Sequence, residues 1–336
     1  MRERARLGPP PDRPLIVIGS LRAGGAGKTS LALALARDLA RRGLRPALLA
    51  YRIGPGAARG SAGREGEAEG GVLQEVGPDS DWRATSEEAV LLRRESGARV
   101  FATRDRARAW RRLASGEAGE PFDVFIADDG FQDPRLFGAF RILLARPGEK
   151  PRLRDLLPAG PFREEASAAT RADLVLTGPR AGRTDPADSG PAAAFPDGVT
   201  DMLPMEKGDR PGGPGFRRRL ILPGGWDRSR PCLVHCSLGD PFPFLADLER
   251  EGIRPLGIVL GRNHGEPPLA RLRAVAARFP GAPILCTRKD AVKLEGSGLP
   301  WAAVDQEIEL DAEVPDAIAA LAGRNPYLVD YPRCRI

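Results

Sequence analysis

The sequence predicts a doubly wound α/β fold, built on a mainly parallel sheet, with a second, smaller α/β domain. Three observations carry this. Short continuous apolar runs alternate with helical patterns along the 336 residues. Those runs show little apolar–polar alternation, as parallel strands covered on both faces require. The alternation breaks once, in a zone rich in glycine, proline and charge over 178–215, and then resumes.

The elements follow in order. "LIVIG" (15–19) is the first predicted strand, and "TSLALALARDLARRG" the helix after it (29–42), with Gly43 as its C-cap. Further buried strands are predicted at 46–51, 98–103, 122–129, 140–145 and 172–178. The second series supplies strands at 232–239, 254–261, 282–287 and 301–310. We place the boundary near Pro223, giving a nucleotide-binding domain over 1–222, a smaller α/β domain over 223–325 and a tail over 326–336. The segment 54–71 is too polar and glycine-rich for core, so it reads as a loose loop, as does 178–215. The chain shows no internal repeat and no coiled-coil pattern.

Composition narrows the function classes. The chain is too long for one ordinary core. Its 42% hydrophobic content is globular, while 40 glycines and 33 prolines imply much loop. A net charge of +6 suits nucleic acid, an anionic membrane face or phosphorylated small molecules. With 6% aromatics and no recognition motif, nucleic acid is not expected. Cys232, Cys236, Cys286 and Cys334 form no C-x-x-C pair or zinc spacing and read as reduced cytosolic thiols. No apolar run approaches the roughly 18 residues of a membrane span. The charged N-terminus lacks the apolar stretch of a signal peptide, so a cytoplasmic protein is expected.

Between the first strand and its helix lies "GSLRAGGAGKTS" (19–30). A phosphate-binding loop points successive backbone N–H groups at phosphate oxygens at a helix N-terminus, where the helix dipole adds to the attraction. Here Gly24, Gly25, Ala26 and Gly27 form the turn. Lys28 is the phosphate lysine, Thr29 the magnesium ligand, and Ser30 completes the ATP-binding set. The common pattern G-x-x-x-x-G-K-[ST] wants a glycine where Arg22 stands. The second part is an acid at the end of a neighbouring strand. "DVFIADDG" supplies Asp128 and Asp129, two adjacent carboxylates that repel one another unless a cation such as Mg²⁺ lies between them.

These residues resemble the tetraacyldisaccharide 4'-kinases of lipid A biosynthesis. That family's loop has the form G-N-x-T-x-G-G-T-G-K-T-P and itself lacks the early glycine. "DDGFQDPRL" (128–136) is similar to its D-D-G-[LF]-Q-H-x-x-L, and "LLPAGPFRE" (156–164) to L-L-P-A-G-P-L-R-E. "AYRIGPG" (50–56), "SEEAVLL" (86–92), "ARVFATRDRARAWRRL", "CSLGDPFPFLADLEREG", "RNHGEP" and "TRKDAVKL" (287–294) match further segments in order.

The resemblance implies a P-loop kinase-like fold and transfer of the γ-phosphate of ATP to the 4'-hydroxyl of a tetraacyl glucosamine disaccharide 1-phosphate. ATP and Mg²⁺ are the implied cofactors. An acid–histidine pair, here Glu87 and His264, would handle the acceptor hydroxyl, with Asp128 and Asp129 at the metal. Arg52, Gln132 and Arg163 become candidates for the sugar and its 1-phosphate, arginine through its bidentate fork. Lys289, Asp290 and Lys293 either line an interdomain cleft or hold the second domain together. His235, inside an apolar run, reads as structural. The implied location is peripheral, at an anionic membrane surface on the cytoplasmic face of the inner membrane. No feature calls for an obligate protein partner.

Asp133 stands where the family has histidine, Asn263 where it has aspartate, and Glu87 is one methylene longer than the family's aspartate. These departures leave open a divergent paralogue acting on another glycolipid or sugar. A non-kinase P-loop ATPase of the partitioning type is the alternative from another class. Such proteins carry an extra lysine before the glycines, where this chain has Ala23.

Overall fold

The computed structural model describes residues 9–52, 73–116, 119, 121–146, 149–178 and 216–310, with 314, 316 and 318 beyond. The expected loose segments 54–71 and 178–215, apart from Gly178, and the tail 326–336 lie outside the described residues.

The first part of the chain runs β1 (Leu15–Ser20), α1 (Lys28–Arg41), β2 (Pro46–Tyr51), β3 (Gln74–Val76), α2 (Glu87–Ser96), β4 (Arg99–Thr103), α3 (Arg106–Ala114), β5 (Val124–Ala127), β6 (Phe140–Ala145) and β7 (Leu174–Thr177). These strands form one sheet in the order β3-β4-β2-β5-β1-β6-β7, parallel except for the antiparallel edge strand β3. The continuous apolar runs are buried from end to end in β1 and β5, as strands covered on both faces must be. On α1, Leu31, Leu35 and Leu39 face this sheet fully buried, each worth about 1.5–3 kcal/mol of burial.

The remaining elements are β8 (Phe216–Ile221), β9 (Leu233–Cys236), α4 (Phe242–Arg250), β10 (Gly257–Leu260), α5 (Leu269–Arg278), β11 (Ile284–Thr287), α6 (Arg288–Leu294) and β12 (Trp301–Leu310). They form a second sheet, β10-β9-β11-β12-β8, with β8 antiparallel at one edge. Strand β8 thus pairs with the second sheet although it precedes the boundary expected at residue 223. Where the two sheets meet, α1 packs on β12 and α2 on α6. Val292 and Ile308 join the core of the first sheet. In the first sheet β1 lies between β5 and β6, and the chain order reverses there. Ligands of open α/β sheets bind beyond the strand ends at such a point.

Candidate active site

The turn after β1 has the backbone that only glycine adopts freely. Gly24, Gly25 and Gly27 sit at φ 81°, 65° and 84°. Helix α1 begins at Lys28 with no side-chain cap and no acid in its first turn. Its first N–H groups and the positive end of its dipole are therefore available to an anion. The second sheet roofs this loop: a Cβ on Gly24 would lie 3.1 Å from Gly239 Cα, and one on Gly25 3.2 Å from Asp240 Cβ. Arg22 points elsewhere. Its Nε donates to Glu149 Oε1 at 2.7 Å, and its guanidinium lies 4.6 Å from the centre of the Phe162 ring. Replacing the early glycine thus anchors the segment leading into the loop and leaves the phosphate cradle intact.

The loop 156–164 braces the same segment. Arg163 N donates to Leu21 O at 2.7 Å and Ala23 N to Pro161 O at 2.8 Å. This pairing carries the Arg163 side chain to the acids after β5, where its two terminal nitrogens donate to Asp129 at 2.6 and 2.8 Å. Gln132 joins them: its Oε1 accepts from Arg163 at 3.2 Å and its Nε2 donates to Ser20 O at 3.1 Å.

Asp128 and Asp129 are shifted in opposite directions. Burial, reinforced by the charge of Asp129, pushes the Asp128 carboxyl up to about 6. Burial also pushes Asp129 up, but Lys28 and Arg163 outweigh it and hold that carboxyl well below the usual range. Lys28 Nζ lies 3.5 Å from Asp129 Oδ1. The Thr29 hydroxyl donates to Asp128 Oδ2 at 2.8 Å, while Asp128 Oδ1 is buried without a hydrogen-bond partner. An orphaned carboxylate oxygen beside a threonine hydroxyl is a hard-oxygen donor set that fits Mg²⁺.

A second cluster spans both sheets. Glu87 and Glu88 open α2, and His264 lies on the loop after β10. His264 Nδ1 is 3.0 Å from Glu87 Oε1 and 3.2 Å from Glu88 Oε1. The longer Glu87 side chain therefore closes on the histidine without a gap. Lys293 Nζ lies 3.0 Å from Glu87, and Lys289 Nζ 2.5 Å from Glu88. Glu87 and Lys293 are both buried. Burial raises the Glu87 carboxyl, but His264, Lys289 and Lys293 overcome it and hold it well below the usual range. Glu87, Glu88 and His264 have metal-ligand spacing. The two ammonium groups already supply the positive charge a metal would bring, so the cluster is an ion-pair network.

Two non-glycine residues among those described have positive φ, Asp129 at 57° and His264 at 56°. Both were predicted site residues. Backbone held in this costly region concentrates at functional sites.

A cavity of about 520 Å³ brings the two clusters together. Its lining includes all of Gly24 to Ser30, Asp128, Asp129, Arg163, Glu88, His264 and Lys289. Glu87 lies behind His264, outside that lining, and Gln132 reaches it through Arg163. Arg52 is not in the lining. Its Nε donates to Ala84 O at 3.0 Å, fixing the turn that leads into α2. Asp133 is also outside, its carboxylate taken by Arg135 at 2.9 and 3.0 Å. Asn263 lines the cavity and accepts from Lys289 Nζ at 3.3 Å. Asp290 accepts from Ser237 N and the Thr287 hydroxyl, so it holds the second sheet together. His235 is buried, with Nδ1 2.8 Å from Val259 O, as a structural histidine should be. Cys232, Cys236 and Cys286 are free and buried, and burial pushes Cys236 up to about 12.

Glu88 and Arg106 are among the lining residues that the sequence did not single out. Arg106 is buried and donates to Asp128 O at 2.5 Å, so it supports the acid loop from below. Its signal was its place just after the helix cap Asp105.

A profile described as tetraacyldisaccharide-1-P 4'-kinase matches residues 4–323. The chain belongs to this family. The tetraacyldisaccharide 4'-kinase of Acidovorax sp. (strain JS42) is 32% identical over 294 residues, which cover 84% of this chain and 72% of that protein. That of Anaeromyxobacter dehalogenans (strain 2CP-C) is 32% identical over 328 residues, covering 91% of this chain and 81% of the relative. A crystal structure described as the "apo" form of LpxK from Aquifex aeolicus in complex with ATP matches with a TM-score of 0.58 at 25% identity, over 94% of this chain and 89% of that one. Membership makes the chain a phosphotransferase that uses ATP, within lipid A biosynthesis. The fold is that of the family's P-loop kinases.

Proposed function

We propose that this cleft transfers the γ-phosphate of ATP to the 4'-hydroxyl of a tetraacyl glucosamine disaccharide 1-phosphate. One observation carries the reading: the Lys28–Thr29–Asp128 cluster of the first sheet and His264 of the second, with Glu87 behind it, meet at a single cavity. Phosphoryl transfer needs positioning and charge neutralisation more than covalent chemistry. Lys28 and the N–H groups of Gly24 to Ser30 hold the triphosphate. Thr29, Asp128 and Asp129 would hold Mg²⁺, which when bound neutralises charge on the phosphoryl oxygens.

His264 orients the acceptor hydroxyl and takes its proton, and Glu87 behind it fixes the ring. Arg163, with Gln132, meets the acceptor by exchanging its fork from Asp129 to a substrate oxygen. Arg52 acts at one remove, by holding the turn before Glu87. The division into a nucleotide-binding domain and a smaller α/β domain is part of the proposal, with β8 counted in the second. Among the described residues no helix is long and apolar enough to cross a membrane. We place the protein at the cytoplasmic face as a peripheral protein.

The test is incubation with labelled ATP, Mg²⁺ and the tetraacyl disaccharide 1-phosphate in detergent micelles. A phosphorylated lipid is expected, and Lys28→Ala abolishes it. ATP hydrolysis with no lipid product would replace the kinase reading with an ATPase.

A further inference from the structure

Beside the active-site cleft lies a larger groove of about 930 Å³. It shares Gly239, Asp240 and Pro243 with the cleft, so the two concavities adjoin. Its walls are the edge strand β10 and helix α4, with Phe242 and Ile258 among its lining residues. Side chains alternate across a strand, so Val259 is buried against Leu272 of α5 while Leu256, Ile258 and Leu260 point to the opposite face. Helix α4 packs its Phe244 and Leu248 on β9 and leaves the edge strand beyond it uncovered. The result is a patch in which Leu256, Ile258 and Leu260 are 46%, 43% and 46% exposed, and Phe242 76%. Phe242 and Ile258 line the groove together, and exposed apolar side chains gathered in this way mark an interaction site.

The charges around the patch indicate its partner. Arg254 and Arg262 stand at the two ends of the same alternate-residue series. Both are exposed, and neither has an ion pair among the described residues. The acids on the groove are Asp240, paired with Arg146 at 3.1 Å, and Glu249. Apolar side chains bracketed by free arginines complement a surface with an acyl interior and phosphate headgroups. A second copy would bring like arginines together.

We propose that this face rests on an anionic lipid bilayer, with Phe242, Leu256, Ile258 and Leu260 at the acyl boundary and Arg254 and Arg262 on headgroup phosphates. The proposal rests on the acylated-acceptor reading for its location: a sugar in the cleft would have its acyl chains leave toward this groove.

The test is co-sedimentation of the full chain with vesicles of phosphatidylcholine alone, or with phosphatidylglycerol added, without ATP or acceptor. Binding is expected only with phosphatidylglycerol and should weaken with salt. The pair Ile258→Ser and Leu260→Ser weakens it roughly tenfold or more. The pair Arg254→Glu and Arg262→Glu weakens it by at least about fivefold for each arginine. Unchanged melting temperatures show that both variants fold. Vesicle binding equal to the parent chain in both variants overturns the proposal. So does retained vesicle binding with turnover lost only on the acylated acceptor, which assigns the groove to the substrate's own chains. Loss of a dimer in sedimentation with vesicle binding intact assigns it to a second copy. Because binding is read without acceptor, its failure leaves the kinase reading standing. Failure of the kinase reading would instead show as no phosphorylated lipid while vesicle binding persists.

Discussion

His264 Nδ1 lies 3.0 Å from Oε1 of Glu87, joining a loop of the second sheet to the first turn of α2. Burial alone would lower the imidazole's pKa, but the bonds to Glu87 and Glu88 outweigh it and raise it to about 9. The ring is therefore charged at neutral pH and must lose its proton before it can accept one. We expect kcat/KM to climb with pH toward a midpoint near 9. Glu87→Gln moves the midpoint down toward about 6.5 and lowers kcat on the order of 10²-fold. A pH–rate profile of both proteins checks this, and an unmoved midpoint removes Glu87 as the positioning group. Stability follows the same linkage. Because the folded pKa lies above the unfolded value of about 6.5, the pair's contribution is full below that pH and is lost as pH rises through about 9. His264→Gln should flatten that decline in thermal melts.

Asp128 has the opposite sign. Its carboxyl is raised to about 6 by burial and by Asp129, so its ionisation costs the ligand-free fold stability. The cost appears as pH rises from about 4 to about 6 and stays above that. Asp128→Asn removes the charge and can still accept from the Thr29 hydroxyl. It should gain on the order of 1–3 kcal/mol at neutral pH without Mg²⁺ while losing phosphoryl transfer. The parent chain should gain stability on adding Mg²⁺ and lose it again with a chelator, whereas the asparagine variant should respond to neither. A variant that melts no higher than its parent would show that Asp128 is not strained by its charge.

The Arg163 fork on Asp129 makes the acceptor end testable. Lysine keeps the charge but cannot give two parallel bonds. Arg163→Lys should raise KM for the lipid acceptor on the order of tenfold, the worth of one charged hydrogen bond, and leave KM for ATP little changed. Equal rises in both constants would place Arg163 at the triphosphate instead.

What the sequence made legible follows from what is contiguous. Strands β2, β6 and β12 fall on the predicted residues because a continuous apolar run is a strong local signal. Strand β3 escaped because it is three residues long, partly polar and at an edge. Strand β8 escaped because "FRRRLI" shows charge where strands usually show apolar character. Arg219 stands opposite Glu307 of β12, a cross-strand match invisible before pairing is known. The nucleotide side of the site was legible for the same reason: one turn supplies Gly24 to Ser30. The acceptor side is assembled from Glu87 and His264, which are 177 residues apart. Residue type alone could not pair them, and only the family resemblance did. Glu88 and Arg106 take their roles from tertiary contacts, which no local pattern encodes.

The close approach of β1 to the acid loop gives a stability prediction. A Cβ on Gly19 would lie 2.2 Å from Phe131 Cβ, 3.1 Å from its N and 3.2 Å from its Cα. These atoms belong to the chain itself and cannot swing aside as a side-chain tip can. Phe131 is also locked in a core with Leu21, Leu143 and Phe162. Gly19→Ala must therefore part β1 from the loop that carries Asp129 and Gln132, at a cost of about 2–4 kcal/mol. The melting temperature should fall by several degrees, and turnover should drop even where the variant is folded, because Gln132 loses its bond to Ser20 O. Gly43→Ala is the control. It has φ 81° but open space around it, so it carries only the backbone penalty of about 1 kcal/mol. If the two substitutions lower the melting temperature equally, the strand–loop contact is not what holds the acids in place.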